Sequence, residues 1–141
     1  STSLGLFPVA NTDPSWRSMP LDYFDQYKIE YEYELHSFVL LPSFDFAAFV
    51  PLDGKRVMPR VREITYTPDF VGKDWVIETK GMKTPDFLLK WKLFKRHLTD
   101  NNLSYTLYMP SNQKQVRLAI EHILGKPIPV DLKKVNRRKR V

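Results

Sequence analysis

Strict alternation opens the readable part of the chain. From Ile29 to Leu35 the sequence IEYEYEL sets Ile29, Tyr31, Tyr33 and Leu35 against Glu30, Glu32 and Glu34. That period of two predicts a strand with one buried and one wet face. Leu21, Phe24, Tyr31, Leu35 and Phe38 also fit a heptad-like spacing, so a helix stays open as the alternative. Before it, residues 1–14 have no sustained period and read as an N-terminal arm, and residues 15–26 read as a short helix with Leu21 and Phe24 on one side. Phe44–Pro51 reads as a strand closed by a turn at Asp53-Gly54. Arg62–Val71 reads as a strand interrupted at Pro68, and Trp75–Thr79 as a short apolar strand, joined to it by a turn at Gly72-Lys73-Asp74.

The second half is more sharply punctuated. Thr84-Pro85-Asp86 supplies an N-cap, a proline at the first helical position and an acid in the first turn. Phe87, Leu88, Trp91, Phe94 and Leu98 then form one apolar stripe, in which Trp91 and Phe94 are read as core. After Asp100-Asn101-Asn102, Leu103–Met109 reads as a buried strand. Ser111 is the expected cap of a helix whose core face is Val116, Ala119, Ile120, Ile123 and Leu124, ended by Gly125 and Pro127. The expected fold class is α/β, a mixed sheet flanked by helices, in one domain over residues 15–129 with a basic tail over 130–141.

Composition narrows the chemistry. The 141 residues include no cysteine and three widely spaced histidines (His36, His97, His122), which removes disulfides, thiol catalysis and zinc sites built on Cys or mainly on His. His97, late on its helix, reads as a surface group. No apolar run approaches the roughly 20 residues of a membrane span, and nothing reads as a signal peptide, so the expectation is a soluble cytoplasmic protein. The formal net charge is +6. Lys133, Lys134, Arg137, Arg138, Lys139 and Arg140 crowd into the tail, and Lys83, Lys90, Lys92, Lys95 and Arg96 follow the second hairpin. Such clusters suit phosphate contacts, so DNA is the expected partner through these residues.

The stretch ITYTPDFVGKDWVIETKG, residues 64–81, carries the candidate chemistry. A tight turn brings Asp69 towards Glu78 and Lys80, which lie two apart and share a face of their strand. Two carboxylates beside one ammonium suit a divalent cation with oxygen ligands. Pro68 cannot donate to a ladder and marks an edge or bulge where a side chain is re-aimed.

Residues 66–81, YTPDF-x7-ETKG, resemble the signature of the PD-(D/E)xK nuclease superfamily, especially the phage endonuclease I family of Holliday-junction-resolving enzymes. KIEYEYE (28–34) is similar to the strand before the motif in that family, and VREITYTPDF with KGMKT (61–70, 80–84) to a family of small phage-borne nucleases. The resemblance covers roughly residues 28–100. It implies a restriction-endonuclease-like core and Mg²⁺-dependent endonuclease activity on DNA, with Mn²⁺ as a substitute. Asp69 and Glu78 would bind the metal, the backbone carbonyl of Thr79 would complete the ligation, and Lys80 would be the catalytic lysine. A branched or four-way-junction substrate would suit a homodimer and a phage-encoded protein. The families add an upstream acidic residue. No glutamate precedes Glu30, so Asp22, Asp25 and Glu30 are the candidates, with Glu30 preferred and Glu63 an outlier. Glu32 and Glu34 are read as a solvated strand face. The rival readings are a nuclease on simple duplex DNA, a non-catalytic DNA-binding module and an RNA-binding accessory protein.

Overall fold

Apolar residues at neighbouring positions of two short strands point to opposite sides of one sheet, and this organises the molecule. The computed structural model describes residues 15–129, so the expected arm and basic tail, including Lys133, Lys134, Arg137, Arg138, Lys139 and Arg140, lie outside the described residues. Helix α1 (Ser15–Tyr27) is followed by strands β1 (Glu32–Tyr33), β2 (Phe38–Leu41), β3 (Phe44–Asp45), β4 (Arg60–Val61), β5 (Ile64–Tyr66), β6 (Phe70–Val71) and β7 (Trp75–Ile77). Helix α2 (Pro85–Asp100), strand β8 (Thr106–Tyr108) and helix α3 (Gln113–Leu124) complete the order. The main sheet runs β1-β6-β7-β8, antiparallel except for the parallel β7–β8 pair. The expected α/β class with a mixed sheet flanked by helices is what forms.

On one face, Phe70, Trp75 and Ile77 pack with Met19, Tyr23 and Phe24 of α1 and Val116 and Ile120 of α3. On the other, Val71 and Val76 pack with Phe87, Trp91, Phe94 and Leu98 of α2 and with Phe38 and Tyr66. The result is three layers, α1 and α3 over the sheet over α2. Burial on both faces explains why β7 reads as a continuous apolar run rather than an alternating one. The turn between β6 and β7 depends on Gly72, because a Cβ there would lie 2.0 Å from the Trp75 ring. The expected apolar stripe of α2 is buried except at Leu88, which faces outward. Its cap is the expected one, with Thr84 Oγ1 accepting the Phe87 N–H at 3.1 Å.

Four expectations need correction. The strand expected over 29–35 shrinks to Glu32–Tyr33, because Lys28 and Glu34 take positive φ (56° and 49°) and end the extended run on both sides. Its apolar face is correspondingly wet at Tyr33 and Leu35. The strand expected over Phe44–Pro51 is only Phe44–Asp45, paired with β4 in an arm that pairs with no other strand. Its turn at Asp53-Gly54 is as expected, with Gly54 at φ 77° and Asp53 Oδ1 accepting from the Lys55 N–H. The strand Phe38–Leu41 was not anticipated; it pairs with β5 in a sheet of its own. Helix α3 is capped by Asn112, whose side chain accepts from Gln115, rather than by Ser111. Among the described residues no helix is long and apolar enough to cross a membrane.

Candidate active site

The β6–β7 hairpin places the charged residues of the 64–81 stretch. Its register pairs Phe70 with Ile77 and Val71 with Val76, so the next opposed pair along is Asp69 and Glu78. Side chains alternate across the sheet, which puts Glu78 and Lys80 on the α2 side, while Asp69, where the ladder ends, reaches the Thr79 side chain and the cleft beside α1. Pairing stops there because Pro68 leads away into β5, which belongs to the other sheet. Asp69 takes over at the point where the ladder ends. Its Oδ2 accepts from the Thr79 N–H at 2.9 Å and from Thr79 Oγ1 at 2.6 Å. The other edge of the strand remains tied to β8, through Glu78 N–H to the Tyr108 carbonyl and Lys80 N–H to the Pro110 carbonyl. The segment carrying Glu78 and Lys80 is thus held from both edges.

Glu78 is buried, only 6% exposed. The Tyr66 hydroxyl donates to its Oε1 at 2.6 Å. Burial, and then the neighbouring Asp69 charge, push its carboxyl up to about 7 despite the opposing effects of Tyr66 and Lys80. Burial and the Glu78 charge in turn raise the Tyr66 hydroxyl far above the usual phenol range, so it stays a donor. Lys80 Nζ lies 4.6 Å from the centre of the Phe87 ring on α2, a cation–π contact. The backbone N–H of Asp69 also favours the charged form of the Glu78 carboxyl.

These groups open onto a cleft of about 330 Å³, lined by Arg17, Ser18 and Leu21 of α1, by Tyr33 and Glu34, and by Asp69, Phe70, Glu78, Thr79 and Lys80. Glu34 was read as a solvated strand face; its positive φ turns it into the cleft, and its N–H donates to the Asp69 carbonyl at 2.8 Å. Glu30, the preferred upstream acid, is not brought here. The turn at Lys28 and the short β1 leave it beside a separate depression with Tyr31, Glu32 and His36. Asp22 is buried on α1 and Asp25 and Glu63 are exposed, and none of them lines the cleft. Among the described residues no three acidic, His or Cys side chains form a group able to hold a metal.

Of the expected DNA-contacting residues, Lys90 borders a second depression beside the site, together with Tyr66, Glu78 and Lys80. Lys83 donates to Ser111 Oγ at 3.0 Å. On the outer surface of α2, Lys95 lies over Trp91, Arg96 pairs with Asp100 at 3.3 Å, and Lys92 is exposed. Two site residues had no assigned role in the sequence. Tyr66 stands inside the motif three residues before Asp69, which was a usable signal. Arg17 reaches the cleft through the docking of α1, and nothing local in the sequence signals that.

The chain belongs to the family described as "Protein of unknown function (DUF1064)", whose model matches residues 19–113. The match runs from α1 to the start of α3 and takes in every residue lining the cleft except Arg17 and Ser18. No curated protein and no solved structure matches the chain.

Proposed function

We propose that this protein is a metal-dependent endodeoxyribonuclease of the PD-(D/E)xK type, built on a restriction-endonuclease-like core, with branched or four-way-junction DNA as its substrate. The carrying observation is the hairpin that opposes Asp69 and Glu78 and sets Lys80 two residues further on the same face. The donor set suits Mg²⁺, with Mn²⁺ as a substitute. Both ligands are hard carboxylate oxygens, set side by side in a buried place. Mutual repulsion in a buried place, visible in the raised Glu78 carboxyl, is what a cation would relieve. Mg²⁺ commonly takes only one or two carboxylates and leaves other positions to water and phosphate.

In this reading Asp69 and Glu78 hold the ion and the Thr79 carbonyl adds a neutral oxygen. A bound Mg²⁺ supplies a more acidic water and offsets charge on the phosphate. Thr79 aims Asp69 through two hydrogen bonds, and Tyr66 aims Glu78, so neither carboxylate must reorganise during the reaction. Lys80, held against Phe87, orients the attacking water or neutralises charge developing at the scissile phosphate. Water adds to phosphorus as one ester P–O bond breaks.

The test is incubation of the purified protein with four-way-junction, linear duplex and single-stranded DNA, in Mg²⁺ and in EDTA. Cutting of the junction in Mg²⁺ and none in EDTA is expected. Equal cutting of linear duplex would favour the simple-duplex nuclease reading. Binding without cutting would favour a non-catalytic module, and selective binding of RNA an accessory protein.

A further inference from the structure

The cleft beside Asp69 and the depression bordered by Lys90 share two wall residues, Glu78 and Lys80. The two depressions adjoin at these residues, on the surface that carries the candidate site. Two cations from different helices border this surface, Arg17 on α1 in the first depression and Lys90 on α2 in the second. Arg17 shares its cleft with Glu34, Asp69 and Glu78, yet it forms no ion pair with any carboxylate among the described residues. Arg17 is exposed, and its guanidinium lies near uncharged neighbours. It lies 5.6 Å from the Trp16 ring centre, and its Nη2 approaches Gly81 so closely that a Cβ there would stand only 3.3 Å away. A planar, permanently charged fork set over an aromatic ring, with no anion attached, suits bidentate recognition of a phosphate.

We infer that one nucleic-acid strand runs along this surface, with Arg17 binding a backbone phosphate on one side of the scissile phosphate and Lys90 the phosphate on the other. The inference rests on the nuclease reading for the position of the scissile phosphate, and adds the strand's path and the residues that hold it. Gly81 takes part by absence of a side chain. Its backbone does not require glycine, so Gly81→Ala costs no strain there and meets only the movable end of Arg17 and the edge of Trp16.

The experiment measures duplex and junction binding in Mg²⁺ against salt, in an Asp69→Asn background that leaves the DNA uncut. Arg17→Ala should weaken binding roughly 10-fold or more, as expected for loss of a charged hydrogen-bonded contact. It should also lower the log–log salt slope by about 0.9 on duplex. A purely structural Arg17 would leave that slope unmoved. Arg17→Lys should restore the slope and only part of the affinity, because a point charge replaces a fork. Lys90→Ala should lower the slope by the same amount, additively with Arg17→Ala. Gly81→Ala should weaken binding several-fold in the presence of Arg17 and not at all in Arg17→Ala. An unchanged slope and affinity for folded Arg17→Ala would overturn the inference. If the wild type cuts DNA under the same conditions, that result leaves the nuclease reading standing. A wild type that binds DNA but never cuts it would sink the nuclease reading, while the Arg17 and Lys90 slopes would still decide whether this surface is the strand path. No DNA binding at all would overturn both.

Discussion

The β6–β7 hairpin and the β3–β4 arm are both short antiparallel pairs, one inside the main sheet and the other a two-stranded sheet of its own, and they belong to opposite regimes. In the first, Val76 and Ile77 are fully buried, one towards α2 and the other towards α1 and α3. In the second, Phe46, Phe49, Val50, Leu52 and Met58 are exposed, Leu52 at 96%. The arm is held by its own pairing and by the exposed Arg60–Asp45 ion pair at 3.3 Å, an interaction of small worth. The comparison shows where chemistry can be placed. A carboxylate forced into a buried position beside another, as Glu78 is, needs a frame whose packing outweighs that cost, and only the hairpin between the two cores has one.

The contrast can be broken hardest at Asp69. Asp69→Asn should lower cleavage at saturating DNA by on the order of 10³-fold or more. The fold should persist, since the amide oxygen can still accept from Thr79; circular dichroism and a cleavage time course check the two halves. Lys80→Ala comes next, with turnover down by about 10²–10³-fold and DNA affinity nearly unchanged. A loss confined to affinity would make Lys80 a phosphate anchor.

Stability sharpens the same comparison. Ile77→Ala removes a fully buried side chain and should cost about 2–5 kcal/mol in urea denaturation. Glu78 gives a pH signature. Its folded carboxyl titrates at about 7 against an ordinary 4.5, so the metal-free fold binds this proton more tightly than the unfolded chain does. The associated stability is present below about pH 4.5 and is lost as pH rises through about 7, an effect of up to about 3 kcal/mol. Melting in EDTA should therefore fall between pH 5 and 8. Mg²⁺ should restore part of the loss at the upper end, and Glu78→Gln should flatten the profile. A metal-free melting point that rises over that window would contradict the burial argument. The smallest effect belongs to the arm, where Leu52→Ser should change stability by less than about 0.5 kcal/mol.

Local signals in the sequence determined the elements with sharp ends and strong periods. Thr84-Pro85-Asp86 and the Phe87, Trp91, Phe94, Leu98 stripe specified α2, and the apolar run after Gly72-Lys73-Asp74 specified β7. With them came the pairing of Asp69 with Glu78 and the shared face of Glu78 and Lys80, because a tight turn and a period of two leave little freedom. What only the tertiary structure decided depends on contacts distant in sequence. The alternation over 29–35 promised a half-buried strand, but only Ile29 and Tyr31 reach the core beside α1, Tyr33 and Leu35 stay exposed, and positive φ at Lys28 and Glu34 ends the run. The same interruption sends Glu30 away from the cleft and Glu34 into it. Tyr66 meets Glu78 because two sheets converge at Pro68, and Arg17 meets the cleft because α1 docks across β6 and β7. Periodicity records which face of an element is apolar, and it carries no information about which distant element will cover that face.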